Sequence, residues 1–149
     1  MLRIGLISDT HNLLRPEAVA FLQGSDHIVH AGDICGPQVL EQLRAIAPLT
    51  AVRGNNDAGA WALSLQVTET VRFGAVAVHV IHDLKELGSV AGVQVVVSGH
   101  SHKPRVEQRD GVLFVNPGSA GPRRFSLPIS AGELRIDAAG QVTAQLVQF

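Results

Sequence analysis

Val93-Gln94-Val95-Val96-Val97-Ser98-Gly99-His100-Ser101-His102 is the stretch from which the fold can be read. Val93 to Val97 is an almost unbroken apolar run, the pattern of a strand buried on both faces. Gly99 lets the backbone leave that strand sharply. Two imidazoles one residue apart can then project into one crevice, and neutral imidazole is the commonest protein ligand of a transition metal. Taken alone, the pair also fits an ordinary polar loop at a strand end.

Four other strand-like runs end in the same kind of residue. Leu2 to Ser8 runs into Asp9-Thr10-His11, and Ile28 to Ala31 into Gly32-Asp33. Leu49 to Arg53 runs into Gly54-Asn55-Asn56-Asp57, and Ala75 to Ile81 into His82-Asp83. In open α/β sheets function gathers at the carboxyl ends of the strands. Five strands that all finish in oxygen or imidazole donors point to one shared site.

The segments between them set the architecture. Pro16 to Gln23 and Pro37 to Ala47 read as helices, each with proline in its first turn, and Pro48 stops the second. The opening is therefore β-α-β-α-β, a parallel sheet with right-handed crossovers. Gln66 to Phe73 and Ala75 to Ile81 form a hairpin around Gly74, and Leu84 to Ala91 reads as a weak helix interrupted by Gly88. Arg105 to Gln108 and Val112 to Val115 flank Asp110-Gly111, a strong hairpin signal, and Ile129 to Ile136 pairs with Gln141 to Phe149. The second half is expected to be β-rich and antiparallel. The fold class is α/β, one domain over residues 1–149, with two packed sheets and helices outside.

Composition narrows the function classes. The chain has 149 residues, 46% hydrophobic, enough for one substantial core, and its net charge of −1 gives no reason to expect nucleic acid or an acidic membrane. One cysteine, Cys35, excludes an internal disulfide. No apolar run approaches the ~20 residues of a membrane span. The chain enters its first strand without a leader, so a cytoplasmic location is expected. A homo-oligomer stays open.

Asp9-x-His11, Gly32-Asp33, Gly54-Asn55-x-Asp57, His82 and Gly99-His100-x-His102 resemble, in order and spacing, the calcineurin-like metallophosphoesterases. His30-Ala31-Gly32-Asp33 and Asn116-Pro117-Gly118-Ser119 extend the similarity to the compact bacterial and archaeal phosphodiesterase branch, whose fold is a two-sheet αββα sandwich. The resemblance implies two divalent transition metal ions, with Mn²⁺ preferred and Fe²⁺, Ni²⁺ or Zn²⁺ as alternatives. Asp9, His11, Asp33 and His102 would hold one ion. Asp33, Asn55, His82 and His100 would hold the other, with Asp33 as the bridge. Mixed carboxylate, imidazole and amide donors without thiolate suit such ions and argue against a structural zinc site. Two ions about 3.5–4 Å apart can acidify a bridging water and grip the oxygens of an in-line displacement. The residues expected to bear on catalysis are Asp33, Asn56, Asp57 and His100.

Other polar residues have plainer readings. Asp57 fixes its turn or orients a histidine, His30 packs or orients the turn before Asp33, and His79 is structural because strand alternation turns it away from His82. His27 is read as a surface residue and Cys35 as a small hydrophobe. Asn116-Pro117-Gly118-Ser119 is a tight turn.

Two positions depart from the family pattern. Asn56 stands where many relatives have a histidine that assists leaving-group departure, and Asp83 replaces the glycine that usually follows His82. Asp83 could tune the second metal, bond a histidine or narrow the cleft. The reaction implied is hydrolysis of small organic phosphodiesters by a metal-bridging hydroxide. A protein-binding scaffold, like the retromer subunit that resembles this branch, and a phosphomonoesterase are the alternatives.

Overall fold

Strand β1 (Leu2–Ile7), helix α1 (Pro16–Leu22), β2 (His27–His30), α2 (Pro37–Arg44) and β3 (Leu49–Ala51) open the chain in the computed structural model, which describes residues 1–149. The β-α-β-α-β reading is thus observed, and β1, β2 and β3 are parallel neighbours. Both helices begin at a proline whose missing N–H needs no partner in a first turn. Two strands from the end of the chain, β9 (Ser130–Ile136) and β10 (Val142–Gln148), extend this sheet antiparallel, giving the order β10-β9-β1-β2-β3.

The second sheet holds β4 (Thr68–Phe73), β5 (Val76–Ile81), β6 (Val95–Val97), β7 (Arg105–Arg109) and β8 (Val112–Asn116) in the order β4-β5-β6-β8-β7. Here the expectation of an antiparallel half is corrected. The two hairpins are antiparallel, yet β5-β6 and β6-β8 pair in parallel. The segments that join β5 to β6 and β6 to β8 are crossovers, and β6 is apolar on both faces as a central parallel strand must be.

The sheets stack with Ile4, Leu6 and Val29 of the first against Val78, Val80, Val95 and Val97 of the second, all fully buried. Alternation sends Ile7 and Ile28 to the other face of the first sheet, where Ala18 and Leu22 of α1 and Val39 and Leu43 of α2 cover them. The outer face of the second sheet, Ile81, Val96 and Val112, is covered only by a thin layer around Leu87, Val90 and Val93. The helix expected over Leu84 to Ala91 is one 3₁₀ turn, Leu84–Glu86, which ends before Gly88. A short helix without a capping side chain, α3 (Ala60–Leu63), appears where no helix was expected.

Candidate metal centre

The ends of β1, β2, β3, β5 and β6 converge on one crevice. Backbone bonds knit the loops together: Asp9 N–H donates to Gly32 O at 3.0 Å, His11 N–H to Asp33 O at 3.0 Å and Gly99 N–H to His82 O at 3.0 Å. Five of the seven expected ligands sit in the left-handed region, with φ of 53° at Asp9, 45° at His11, 57° at Asp33, 70° at His100 and 62° at His102. Non-glycine residues visit this region rarely, Asp, Asn and His more than most, and such conformations collect at functional sites. Each loop must bend back at once to aim its side chain into the crevice. Gly99 itself is absent from the positive-φ residues. Its small size is needed instead because a Cβ there would strike Ser8 Oγ and Asp9 Oδ2.

The side chains form two linked groups. Metal-facing atoms of Asp9, His11 and His102 all lie within 4.8 Å of one another, and so do those of Asp9, Asp33 and His82. Asp9 Oδ1 is 3.4 Å from His102 Nε2 and 3.9 Å from both His11 Nε2 and His82 Nε2. Asp33 Oδ2 is 3.4 Å from His82 Nε2 and 3.6 Å from His11 Nε2. Both carboxylates therefore face both groups. Asn55 Oδ1 lies 2.9 Å from His82 Nε2 and 3.1 Å from His100 Nδ1, extending the second group toward solvent.

Three atoms of this arrangement find no partner within the protein. Asp9 Oδ1, His11 Nε2 and His102 Nδ1 are buried without a hydrogen-bond partner. Buried polar atoms are nearly always paired, and unpaired ones that converge with carboxylates and imidazoles fit divalent cations. His82 Nδ1 lies 2.7 Å from Ala31 O, so its N–H donates there and aims Nε2, the nitrogen beside Asp33 and Asn55, into the site.

The electrostatics follow from the same contacts. Burial alone would raise the carboxyl pKa of Asp33, but hydrogen bonds from His82 and Asn56 outweigh it and hold the group well below the usual range. Burial would lower His82, but its bond to Asp33 and the Asp9 charge raise it. Burial lowers His11, with the two aspartates opposing.

Asp57 is 8% exposed and lies behind the cluster. Its Oδ2 accepts the amides of Asp33 at 3.0 Å and Gly54 at 2.8 Å, and its Oδ1 accepts that of Cys35 at 2.8 Å. It fixes its turn, as expected. Asn56 grips Asp33 with both its backbone N–H, 2.9 Å from Oδ1, and its side-chain amide, 2.8 Å from Oδ2. Asp83 Oδ1 caps the 3₁₀ turn through Lys85 N–H, and its Oδ2 stands 3.8 Å from His100 Nε2.

His30 is fully buried, accepting Gly32 N–H at Nδ1 and donating from Nε2 to Thr10 Oγ1, and burial pushes its pKa down to about 3. His79 turns away and bonds Thr70. His27 is not a surface residue: it is half-buried, 2.7 Å from Thr50 Oγ1 and edge-on to Phe73. Cys35 lies 3.6 Å from His11 Nδ1, and burial, then Asp57, pushes its thiol up to about 11.

Supporting residues brace the donors from behind. Ser8 Oγ donates to Asp9 Oδ2 at 2.8 Å. Ser119 Oγ donates to Asp9 O at 3.0 Å, and Asn116 Nδ2 donates to Gly99 O at 3.0 Å and Ser101 Oγ at 3.1 Å. The Asn116-Pro117-Gly118-Ser119 turn thus braces the loops of β1 and β6. In the sequence it reads as a tight turn and as part of the family resemblance, and neither says which residues the turn touches.

The family described as the calcineurin-like phosphoesterase superfamily domain matches residues 2–139. A probable metallophosphoesterase of Methanothermobacter thermautotrophicus is 35% identical over 150 residues, covering 90% of this chain and 86% of its own. Among solved structures, Vps29 of Chaetomium thermophilum superposes with a TM-score of 0.78 at 20% identity, over 100% of this chain and 97% of that one. An archaeal phosphodiesterase gives 0.78 at 22% identity, over 98% and 100%.

Proposed function

The chain belongs to the calcineurin-like phosphoesterase superfamily, and from that premise we propose that it is a dinuclear metal-dependent phosphodiesterase of small organic phosphodiesters. The observation that carries the reading is the convergence of Asp9, His11, Asp33, Asn55, His82, His100 and His102 around buried atoms that have no protein partner. Asp9, His11, Asp33 and His102 would hold one divalent ion, and Asp33, Asn55, His82 and His100 the other, with Mn²⁺ the preferred metal. Such a pair acidifies water and withdraws charge from the phosphoryl oxygens.

The protein's part is to keep the donors ready. Asp33 stays ionised because Asn56 and His82 bond its oxygens. His82 is oriented by its Nδ1–H bond to Ala31 O, so that Nε2 faces the site and would offer its lone pair to a metal that displaced its proton. Asn56 can steady an anion but holds no transferable proton, so leaving alcohols must depart without acid help from this position.

The likeness to Vps29 supports a second reading, a scaffold of the same fold that binds another protein. The complete donor set favours the enzyme. The deciding experiment is metal analysis of the purified protein together with a panel of nitrophenyl phosphodiesters and phosphomonoesters. Two bound ions with faster diester than monoester turnover support the reading. A metal-replete protein that turns over neither class overturns it.

A further inference from the structure

The four imidazoles of the metal centre differ in what backs them. Each turns one nitrogen toward the other donors and one away. The outer nitrogen of His82, Nδ1, is held by Ala31 O at 2.7 Å, and that of His11, Nδ1, lies 3.6 Å from Cys35 Sγ. Both of these partners are uncharged. His102 Nδ1 has no partner. His100 alone has a carboxylate behind it. Its Nδ1 stands 3.1 Å from Asn55 Oδ1, and its Nε2 faces Asp83 Oδ2 at 3.8 Å.

His100 is also the ring least fixed by packing. Its side chain is 43% exposed, against 5% for His82 and His102. Its one aromatic neighbour is His82, edge-on at 5.2 Å. The gap to Asp83 is longer than a hydrogen bond, and a ring this exposed can turn to close it.

Asp83 is held still where His100 is not. Its Oδ1 accepts Lys85 N–H at 3.1 Å at the start of the 3₁₀ turn, which leaves Oδ2 directed at the ring. It shares a polar cavity of about 280 Å³ with Arg53, Asn55, His82 and Glu86, yet the one ion-pair contact it makes is with His100. The two nitrogens of an imidazole point apart, so the carboxylate reaches an ion on Nδ1 only through the ring. A hydrogen bond at one nitrogen sets which nitrogen is left for a metal, and a carboxylate there makes the ring a stronger donor.

We propose that Asp83 is a positioning residue of the second metal site, holding the His100 proton on Nε2 so that Nδ1 presents its lone pair beside Asn55. The inference rests on the two-ion reading and gives the second site a carboxylate–imidazole–metal arrangement that the first lacks. The glycine usual at this position in similar proteins has no side chain to do this.

The test follows the ring nitrogen NMR signals of His100 and His102 while the metal-stripped protein takes up chelator-buffered Zn²⁺, a diamagnetic probe. His102 reports the first site and His100 the second. In the wild type His100 is expected to bind through Nδ1 and to keep a slowly exchanging proton on Nε2. Asp83→Asn keeps an oxygen for Lys85 N–H but removes the charge that faces the ring. It is expected to raise the free Zn²⁺ that half-fills the His100 site about 10- to 100-fold and to speed exchange of the Nε2 proton. The His102 midpoint and the melting temperature of the stripped protein should stay close to wild type. Asp83→Glu restores a carboxylate and is expected to recover part of the affinity. An unmoved His100 midpoint in Asp83→Asn, or an equal rise at both rings, overturns the positioning role while leaving the two-ion reading intact. A wild type that takes zinc at His102 alone overturns both.

Discussion

Asp57 holds Asp33 by its backbone: one carboxylate oxygen accepts the Asp33 amide at 3.0 Å and, with it, the Gly54 amide at 2.8 Å. The other oxygen takes the Cys35 amide at 2.8 Å. All three contacts are donors, so a group that cannot accept at both ends does not fit. Asp57→Asn sets an NH₂ against at least one N–H. We expect a loss of about 2–4 kcal/mol, since buried bonds to a charged acceptor are worth about 1.5–3 kcal/mol each. Calorimetry of the chelated protein should show a clear fall in melting temperature, and Mn²⁺ titration a weaker site. A variant that melts with the wild type would mean the carboxylate is dispensable to the turn.

Asp9 and Asp33 should separate on metal removal. Asp33 Oδ2 lies within 3.6 Å of His11 Nε2 and 3.4 Å of His82 Nε2. Asp33→Ala should weaken both ions and reduce turnover below detection. Asp9 Oδ1 is nearest His102, at 3.4 Å, and Asp9→Ala should chiefly empty the His11–His102 side. Metal content after gel filtration distinguishes them. Two tightly held ions in Asp33→Ala would refute the bridging role.

Chelation should also destabilise the fold. Asp9 is fully buried and Asp33 is 2% exposed, and cations bound only to the native state add stability by mass action, about 2.7 kcal/mol at a hundredfold excess over Kd. At roughly 2–4 °C per kcal/mol for a chain of this size, Mn²⁺ should raise the melting temperature of the stripped protein by about 5–10 °C. No rise, with binding verified, would mean that the ions sit elsewhere.

What the sequence made legible was the part written in residue types at strand ends. Asp9, His11, Asp33, Asn55, His82, His100 and His102 could be picked out because each follows an apolar run, and the structure brings them to one crevice. The pairing of β5, β6 and β8 was not legible. Whether an apolar strand is joined to its neighbour by a hairpin or a crossover depends on packing over the sheet, and the irregular Leu84–Val93 segment carries little pattern. The turn Asn116-Pro117-Gly118-Ser119 was visible as a turn, yet its bonds to Asp9 and Gly99 join residues far apart in sequence. His27 was misread because its partners, Thr50 and Phe73, come from two other strands.

His30 makes the chelated protein sensitive to acid. Burial lowers its pKa from 6.5 to about 3, so between those values the unfolded chain binds a proton that the native one does not. Stability then rises with pH through this window and is free of the penalty above pH 6.5. At pH 5 the cost is about 2 kcal/mol, at 1.36 kcal/mol per pH unit. Asp33, whose pKa is lowered, gives a contribution present above its unfolded value of 3.8 and lost only at still lower pH. His82, whose pKa is raised, contributes in the opposite sense, favouring the fold below 6.5 and losing that benefit as pH rises through its folded value. His30→Gln can still donate to Thr10 but cannot titrate. Urea unfolding at pH 4.5 to 7 should give a shallower pH dependence for this variant, by up to one proton. Parallel curves would show that His30 does not carry the effect.

Asn56 is expected to limit the leaving group through what it cannot do. Its backbone and side-chain amides both donate to Asp33, so it orients a carboxylate and offers no proton. General acid help is typically worth about 10²–10⁴-fold. Without it, kcat/KM for alkyl aryl diesters should fall steeply as the pKa of the expelled phenol rises. Asn56→Ala removes one donor to Asp33 without adding an acid, so rate and metal affinity should drop at an unchanged slope. Asn56→His also forfeits that amide but presents an imidazolium at the same point. Its slope should flatten, and its rate should decline as pH rises through the new histidine's pKa. The two variants separate orientation from proton donation, because only the second changes slope. Equal slopes in wild type, Asn56→Ala and Asn56→His, at equal metal content, would move control of leaving-group departure to another residue, with Arg53 in the adjoining cavity the next to test.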